Sequence, residues 1–260
     1  MQTGFSQECE GAVLRLRLQR PVVHNAFDAA LITGLTEALE HAAQNPTLRV
    51  VVLEAEGASF SAGADLNWMQ AQAVASDAEN RDDALALARL MRTLDTLPKP
   101  TIARVQGSAF GGGVGLVACC DIAIGVGSAK FGLTECRLGL LPAVISPYVV
   151  RAIGARQARR WFATGESFDA AAALQLGLLH QVVDDDLLDA SVQRQIQLLL
   201  KAGPQATRLA KHLVSAAGSH PDADTQDADN AALIARLRAS QEGREGIAAF
   251  LERRAPSWSP

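Results

Sequence analysis

Three short stretches hold the residues whose types and spacing could do chemistry. The first is a glycine run, Gly107-Ser108-Ala109-Phe110-Gly111-Gly112-Gly113-Val114-Gly115-Leu116. It lies between an apolar strand, Thr101 to Val105, and an apolar helix that ends near Asp121. Glycines leave main-chain N–H groups approachable, and a helix start adds the positive end of a dipole. Such a junction suits a negative charge, either a phosphate or a developing enolate oxygen. The phosphate patterns are not completed. A Walker loop ends in Gly-Lys-Ser/Thr, and the run holds no lysine. A dinucleotide loop needs G-x-G-x-x-G, and its last glycine would fall at Leu116 or Ala118. Taken by itself, the run is equally open to tight helix–sheet packing with no ligand.

The second stretch, Phe60-Ser61-Ala62-Gly63-Ala64-Asp65-Leu66-Asn67-Trp68-Met69, follows another apolar strand, Val50 to Leu53. Two bare N–H groups from two separate loops are what an oxyanion hole requires. The third stretch, Phe131-Gly132-Leu133-Thr134-Glu135-Cys136-Arg137-Leu138-Gly139-Leu140-Leu141-Pro142, supplies a carboxyl group. Burial against Phe131 and Leu133 would raise the pKa of Glu135 and suit it to carry a proton. The structural alternative is a first-turn glutamate favoured by a helix dipole, with Thr134 as cap.

In order and spacing the three stretches resemble the two oxyanion loops and the catalytic-glutamate segment of the crotonase (enoyl-CoA hydratase/isomerase) superfamily. The resemblance covers nearly the whole chain. It implies that the backbone N–H groups of Ala64 and Gly112 hold a thioester oxygen and that Glu135 moves the proton. It also places His24, Ala26, Ala62, Asp65, Leu66, Phe110, Gly111, Gly115, Thr134 and Pro142 along the substrate path. For His24 a solvated loop histidine is the competing explanation, and for Asp65 a role in organising its own loop. Superfamily hydratases typically carry a further glutamate in the pattern Gly-Gly-Gly-x-Glu. Here that position is Gly115.

The stretches FSAGADLNWM (60–69), GGGVGL (111–116) and KFGLTECRLGLLPAVISPYVVRAIG (130–154) are similar to bacterial methylglutaconyl-CoA hydratases and related branched enoyl-CoA hydratases. In that group a glycine can replace the first glutamate. The reaction so implied is addition of water across the 2,3 double bond of a branched, carboxylate-bearing acyl-CoA, with Gly115 leaving room for the branch or its carboxylate. Ala143-Val144-Ile145-Ser146-Pro147 implies an altered pocket shape. A delta-3 to delta-2 enoyl-CoA isomerase, which needs one carboxylate, is the alternative enzyme. A non-catalytic acyl-CoA-binding protein is the alternative from another class. No metal and no cofactor is implied, since coenzyme A arrives as part of the substrate.

These loops must be positioned by a sizeable fold. The chain has 260 residues, 48% of them hydrophobic, and a net charge of −4. Nothing in that balance draws it to nucleic acid or to an anionic membrane, and the helix from Asp28 to Asn45 has no lysine or arginine for binding RNA. No apolar stretch reaches the roughly 18 residues of a membrane span, and residues 1–11 have no signal pattern. The four cysteines lack C-x-x-C spacing and read as buried reduced thiols in a cytoplasmic protein.

Leu14, Leu16 and Leu18 alternate with Arg15 and Arg17, which predicts a half-buried strand. A helix capped by Asp28, a strand over Arg49 to Glu54, a helix over Asp83 to Leu97 and a strand over Ile122 to Val126 complete an α/β pattern. From about Pro147 onward the chain reads as mainly helical, with a short apolar run near His180 to Val183. Ala217 to Asp229 reads as a surface connector. The resemblance implies a crotonase (ClpP-like) fold, with a repeated ββα superhelical core over 1–195. It also implies a helical region over 196–260 that builds a homotrimer or homohexamer.

Overall fold

The computed structural model describes residues 4–216 and 222–259. Two sheets organise it. The larger contains β1 (Phe5–Glu10), β2 (Val13–Leu18), β3 (Val50–Ala55), β5 (Thr101–Val105), β7 (Ile122–Val126) and β10 (Gln181–Val183), in that spatial order. β1 and β2 form an antiparallel hairpin, and every later neighbour is parallel. The smaller sheet contains β4 (Ser59–Ser61), β6 (Ser108–Phe110), β8 (Lys130–Gly132) and β9 (Ser167–Asp169). β4, β6 and β8 run parallel, and β9 closes the edge antiparallel.

Each of β3, β5 and β7 therefore continues into a short strand of the second sheet before a helix begins. β3 and β4 lead to α2 (Leu66–Val74) and α3 (Asp77–Asp95). β5 and β6 lead to α4 (Gly112–Cys119). β7 and β8 lead to a 3-10 turn at Glu135–Leu138, then α5 (Ser146–Ile153) and α6 (Ala155–Thr164). This is the repeated ββα unit that the resemblance implies. α1 (Ala29–Gln44) joins β2 to β3 and packs on α3. α7 (Ala170–Leu176) and α8 (Leu188–Lys201) flank β10, and α9 (Pro204–Ala216), α10 (Ala223–Ala239) and α11 (Gln241–Leu251) follow.

Local chemistry explains most boundaries. Asp28 caps α1 by accepting from Leu31 N at 2.8 Å. α3 starts well before the apolar period predicts, because Ser76 and Glu79 form a reciprocal capping box ahead of a polar first turn. Pro98 and Pro100 follow its end. In β2 the leucines are buried in the core while Arg15 and Arg17 reach across to buried Glu54 at 3.1 and 2.8 Å. A buried carboxylate that lost these partners would be costly, so the arginines hold the register of β2 against β3.

Two expectations are corrected. Residues 222–229 are not a connector. Asp222 accepts from Thr225 N at 2.8 Å and starts α10, so a run of aspartates reads as loop yet forms the first turns of a capped helix. Residues 217–221 lie outside the described residues. Cys119 and Cys120 are buried, and burial raises both thiols, Cys120 to about 12. Cys9, however, is exposed on β1.

No helix among the described residues is long and apolar enough to cross a membrane.

Candidate active site

The three stretches singled out by their chemistry leave the small sheet side by side. β4 ends at Ser61, β6 at Phe110 and β8 at Gly132, and register pairs Ser61 with Ala109 and Phe110 with Gly132. Their following loops thus emerge at one level, at the carboxyl ends of three adjacent parallel strands. The glycines let the loops approach. Gly63 has φ 88° and Gly111 φ 49°, both in the left-handed region. A methyl group built on Gly63 would stand 3.0 Å from Phe110 O and 3.6 Å from Gly112 N. One built on Gly111 would stand 3.1 Å from Glu135 Oε1.

The orientation of Ala64 follows from an isolated parallel bridge to Phe27. Phe27 N donates to Gly63 O at 2.6 Å, and Asp65 N donates to Phe27 O at 2.8 Å. Phe27 thus takes the groups flanking Ala64, and the Ala64 N–H itself points away from this bridge. Gly112 is the first residue of α4, where an N–H has no intrahelical acceptor. Its neighbour Gly111 spends its own N–H on Gly132 O at 2.9 Å. Ala64 and Gly112 both line the same cleft, with a volume of about 1130 Å³.

Glu135 lines that cleft as well and is half-buried. Its Oε2 is buried without a hydrogen-bond partner, and burial pushes its carboxyl above the usual carboxylate range. Phe131 and Leu133, its near neighbours in sequence, are both fully buried. The dipole-and-cap alternative holds in position only: Glu135 stands in the first turn with Thr134 at the N-cap place. It opens a short 3-10 turn, and the Thr134 side chain makes no capping bond. Glu135 is the one ionisable side chain among the described residues lining the cleft. The rest of the wall is mostly apolar, with Leu66, Trp68 and Met69 from α2, Leu87 from α3, and Leu138 to Ile145 from the end of the 3-10 turn onward; Gln72, Asn80 and Thr134 are its uncharged polar members.

Of the residues expected on the substrate path, Ala62, Leu66, Phe110, Gly111, Thr134 and Pro142 line the cleft with Ala64, Gly112 and Glu135. Four others lie elsewhere. His24 is exposed and bonds Ser59 Oγ at 3.1 Å through Nδ1. Ala26 is buried behind the loop and accepts from Arg20. Asp65 is occupied with structure: it caps α2, accepting from Asn67 N at 2.9 Å, and pairs with Arg20 at 2.9 Å. Gly115 faces away from open space. A methyl group there would overlap Ile145 Cγ2 and stand 3.3 Å from Met91 Cε. The room expected beside Gly115 is filled by Ile145.

Three residues carry weight that their types did not announce. Phe27 holds the Ala64 loop by its backbone, and its ring lies beneath Gly112. Asn25, fully buried at φ 54°, binds Glu56 O and Ser59 O at 2.8 Å each, fixing the approach to β4. An asparagine in the left-handed region after Pro-Val-Val-His was the available signal. Ile145 gave none.

A family model described as enoyl-CoA hydratase/isomerase matches residues 8–260. The chain belongs to the enoyl-CoA hydratase/isomerase family. An enoyl-CoA hydratase structure from Shewanella pealeana superposes with a TM-score of 0.94 at 45% identity, covering 99% of this chain and 100% of that one. The 2,3-dehydroadipyl-CoA hydratase of Escherichia coli is 34% identical, over 95% of this chain and 94% of its own length. A crotonyl-CoA hydratase of Syntrophomonas wolfei is 30% identical, over 95% and 94%.

Proposed function

We propose that this enoyl-CoA hydratase/isomerase family member adds water across the 2,3 double bond of an enoyl-CoA. The observation that carries the reading is the convergence of Ala64, Gly112 and Glu135 on one mostly apolar cleft. The thioester oxygen sits on the N–H groups of Ala64 and Gly112. Glu135 takes a proton from water as the hydroxyl oxygen bonds to C3. The C2–C3 π pair moves into the thioester, and the resulting enolate charge rests on the two N–H donors. Fixed donors in a dry site are typically worth about 3–4 kcal/mol each. Glu135 then returns its proton to C2, so one carboxyl group serves both half-steps. Its raised pKa suits a group that must both take and release a proton. The chemistry calls for no metal or further cofactor, because coenzyme A is carried by the substrate.

A branched acyl group, as in methylglutaconyl-CoA, is supported by the likeness of the FSAGADLNWM and PAVISPYV segments to branched-chain hydratases. It is not supported by room at Gly115, which Ile145 occupies.

One observation favours delta-3 to delta-2 isomerisation as a second reading: a single ionisable side chain lines the cleft among the described residues. Enoyl thioester absorbance separates the possibilities. Hydration removes conjugation from a 2-enoyl-CoA, isomerisation creates it from a 3-enoyl-CoA, and a mere acyl-CoA binder does neither.

We also place 1–195 as the catalytic core and 196–260 as an assembly region. α10 buries no residue and packs mainly on α11, and Ile234, Ile247, Phe250 and Leu251 are exposed across the two helices. A homotrimer or homohexamer would cover them.

A further inference from the structure

Ile145 is 3% exposed, yet it lines the cleft that holds Glu135. The little surface it keeps therefore faces that cleft. Its side chain is wedged where three helices meet. A methyl group on Gly115 of α4 would overlap its Cγ2 and stand 2.9 Å from its Cβ, and the same point is 3.3 Å from Met91 Cε of α3. Its carbonyl accepts from Tyr148 N and Val149 N at 3.1 Å each, which pins it to the start of α5. A β-branched side chain has few rotamers to begin with, and this one is buried with its Cγ2 packed over Gly115. It forms a fixed methyl wall, without a hydrogen-bonding atom, on the cleft that Glu135 serves.

We propose that Ile145 is a specificity-determining residue that sets the size and branching of the acyl group. The proposal rests on the reading of the cleft as an acyl-CoA site. An acyl chain lying across α4 toward Glu135 meets the Ile145 side chain, whose Cγ2 already fills the space over Gly115. The selection is steric, because the side chain offers neither charge nor hydrogen bond to the acyl group. One methyl group in an apolar pocket commonly changes selection by about 10-fold or more.

The test compares Ile145→Ala and the conservative Ile145→Val with the parent protein. Saturated thioesters bind without reacting, so calorimetric affinities for 3-methylbutyryl-CoA and butyryl-CoA are measured first. Hydration of 3-methylcrotonyl-CoA and crotonyl-CoA follows. The expected result is a shift of the branched-to-straight affinity ratio toward the branched thioester, by about 10-fold in Ile145→Ala and less in Ile145→Val. A ratio unchanged in Ile145→Val and in folded Ile145→Ala overturns the proposal. A shifted ratio in a protein that hydrates nothing upholds the wall and removes the hydratase reading, so the two failures are distinct.

Discussion

Phe27 and Gly112 are in contact so close that a methyl group on Gly112 would stand 2.6 Å from Phe27 Cε2. Phe27 also brackets Ala64 through its backbone, accepting from Asp65 N and donating to Gly63 O. One residue thus sets the spacing between the two proposed oxyanion donors.

Gly112→Ala keeps the N–H but is not a neutral change, because its Cβ must push Phe27 and with it the Ala64 loop. Overpacking of this kind typically costs about 1–3 kcal/mol. A displaced donor costs about 10²–10³ in kcat. Both losses are expected, read by urea unfolding and by initial rates on an enoyl-CoA. Phe27→Leu in the same chain, which relieves the overlap, should restore part of each. Full kcat in Gly112→Ala alone would show that the added methyl does not move the donors, and that Phe27 does not set their spacing.

Gly115 and Ile145 should be energetically coupled. Alanine gains about 1 kcal/mol over glycine within a helix, but at Gly115 the added methyl overlaps Ile145. Gly115→Ala should therefore destabilise the parent protein by about 1 kcal/mol net. With Ile145→Ala present, the new methyl enters a void and the sign should reverse. Denaturant midpoints of the four proteins in the cycle measure this. Additive effects would mean that the two side chains do not share the space.

Much of the fold was legible because its signals are local. The strands Thr101–Val105 and Ile122–Val126 are short apolar runs bounded by turn residues, and the Asp28 cap sits just before an apolar helical period. The small sheet was not legible. β4, β6 and β8 are three residues each, too short for a period of two to register, and they hide inside stretches that read as loops. The site was legible as far as its backbone donors and Glu135. It failed at Gly115, since the contact with Ile145 joins positions far apart in sequence and leaves no pattern in either segment.

The raised pKa of Glu135 links stability to pH. The folded chain holds this proton to higher pH than the unfolded chain, whose carboxyl keeps the ordinary value near 4.5. The stabilisation it gives is full below that value and is lost as pH rises through the raised folded one. Glu135→Gln lacks this loss. Its stability relative to the parent should improve from pH 4.5 upward and then level off. A difference that stays constant with pH would mean that burial does not hold the proton.

Light scattering at micromolar concentration should give the mass of a trimer or a hexamer. Charged replacements at Phe250 and Ile247, both exposed on α11, should shift that mass toward the monomer while the fold persists. A monomeric parent protein would leave the apolar face of α10 and α11 without the proposed role.

Single-carboxylate hydration is tested most directly by enoyl thioester absorbance in the parent protein and in Glu135→Gln. The parent protein should bleach a 2-enoyl-CoA as water adds. The variant keeps the side chain's shape and loses its titrating proton, so its rate should fall by about 10²–10⁴ while CoA-thioester affinity stays near the parent's. A variant rate within a few-fold of the parent's, or a parent protein that creates conjugation from a 3-enoyl-CoA without bleaching the 2-enoyl form, would contradict it.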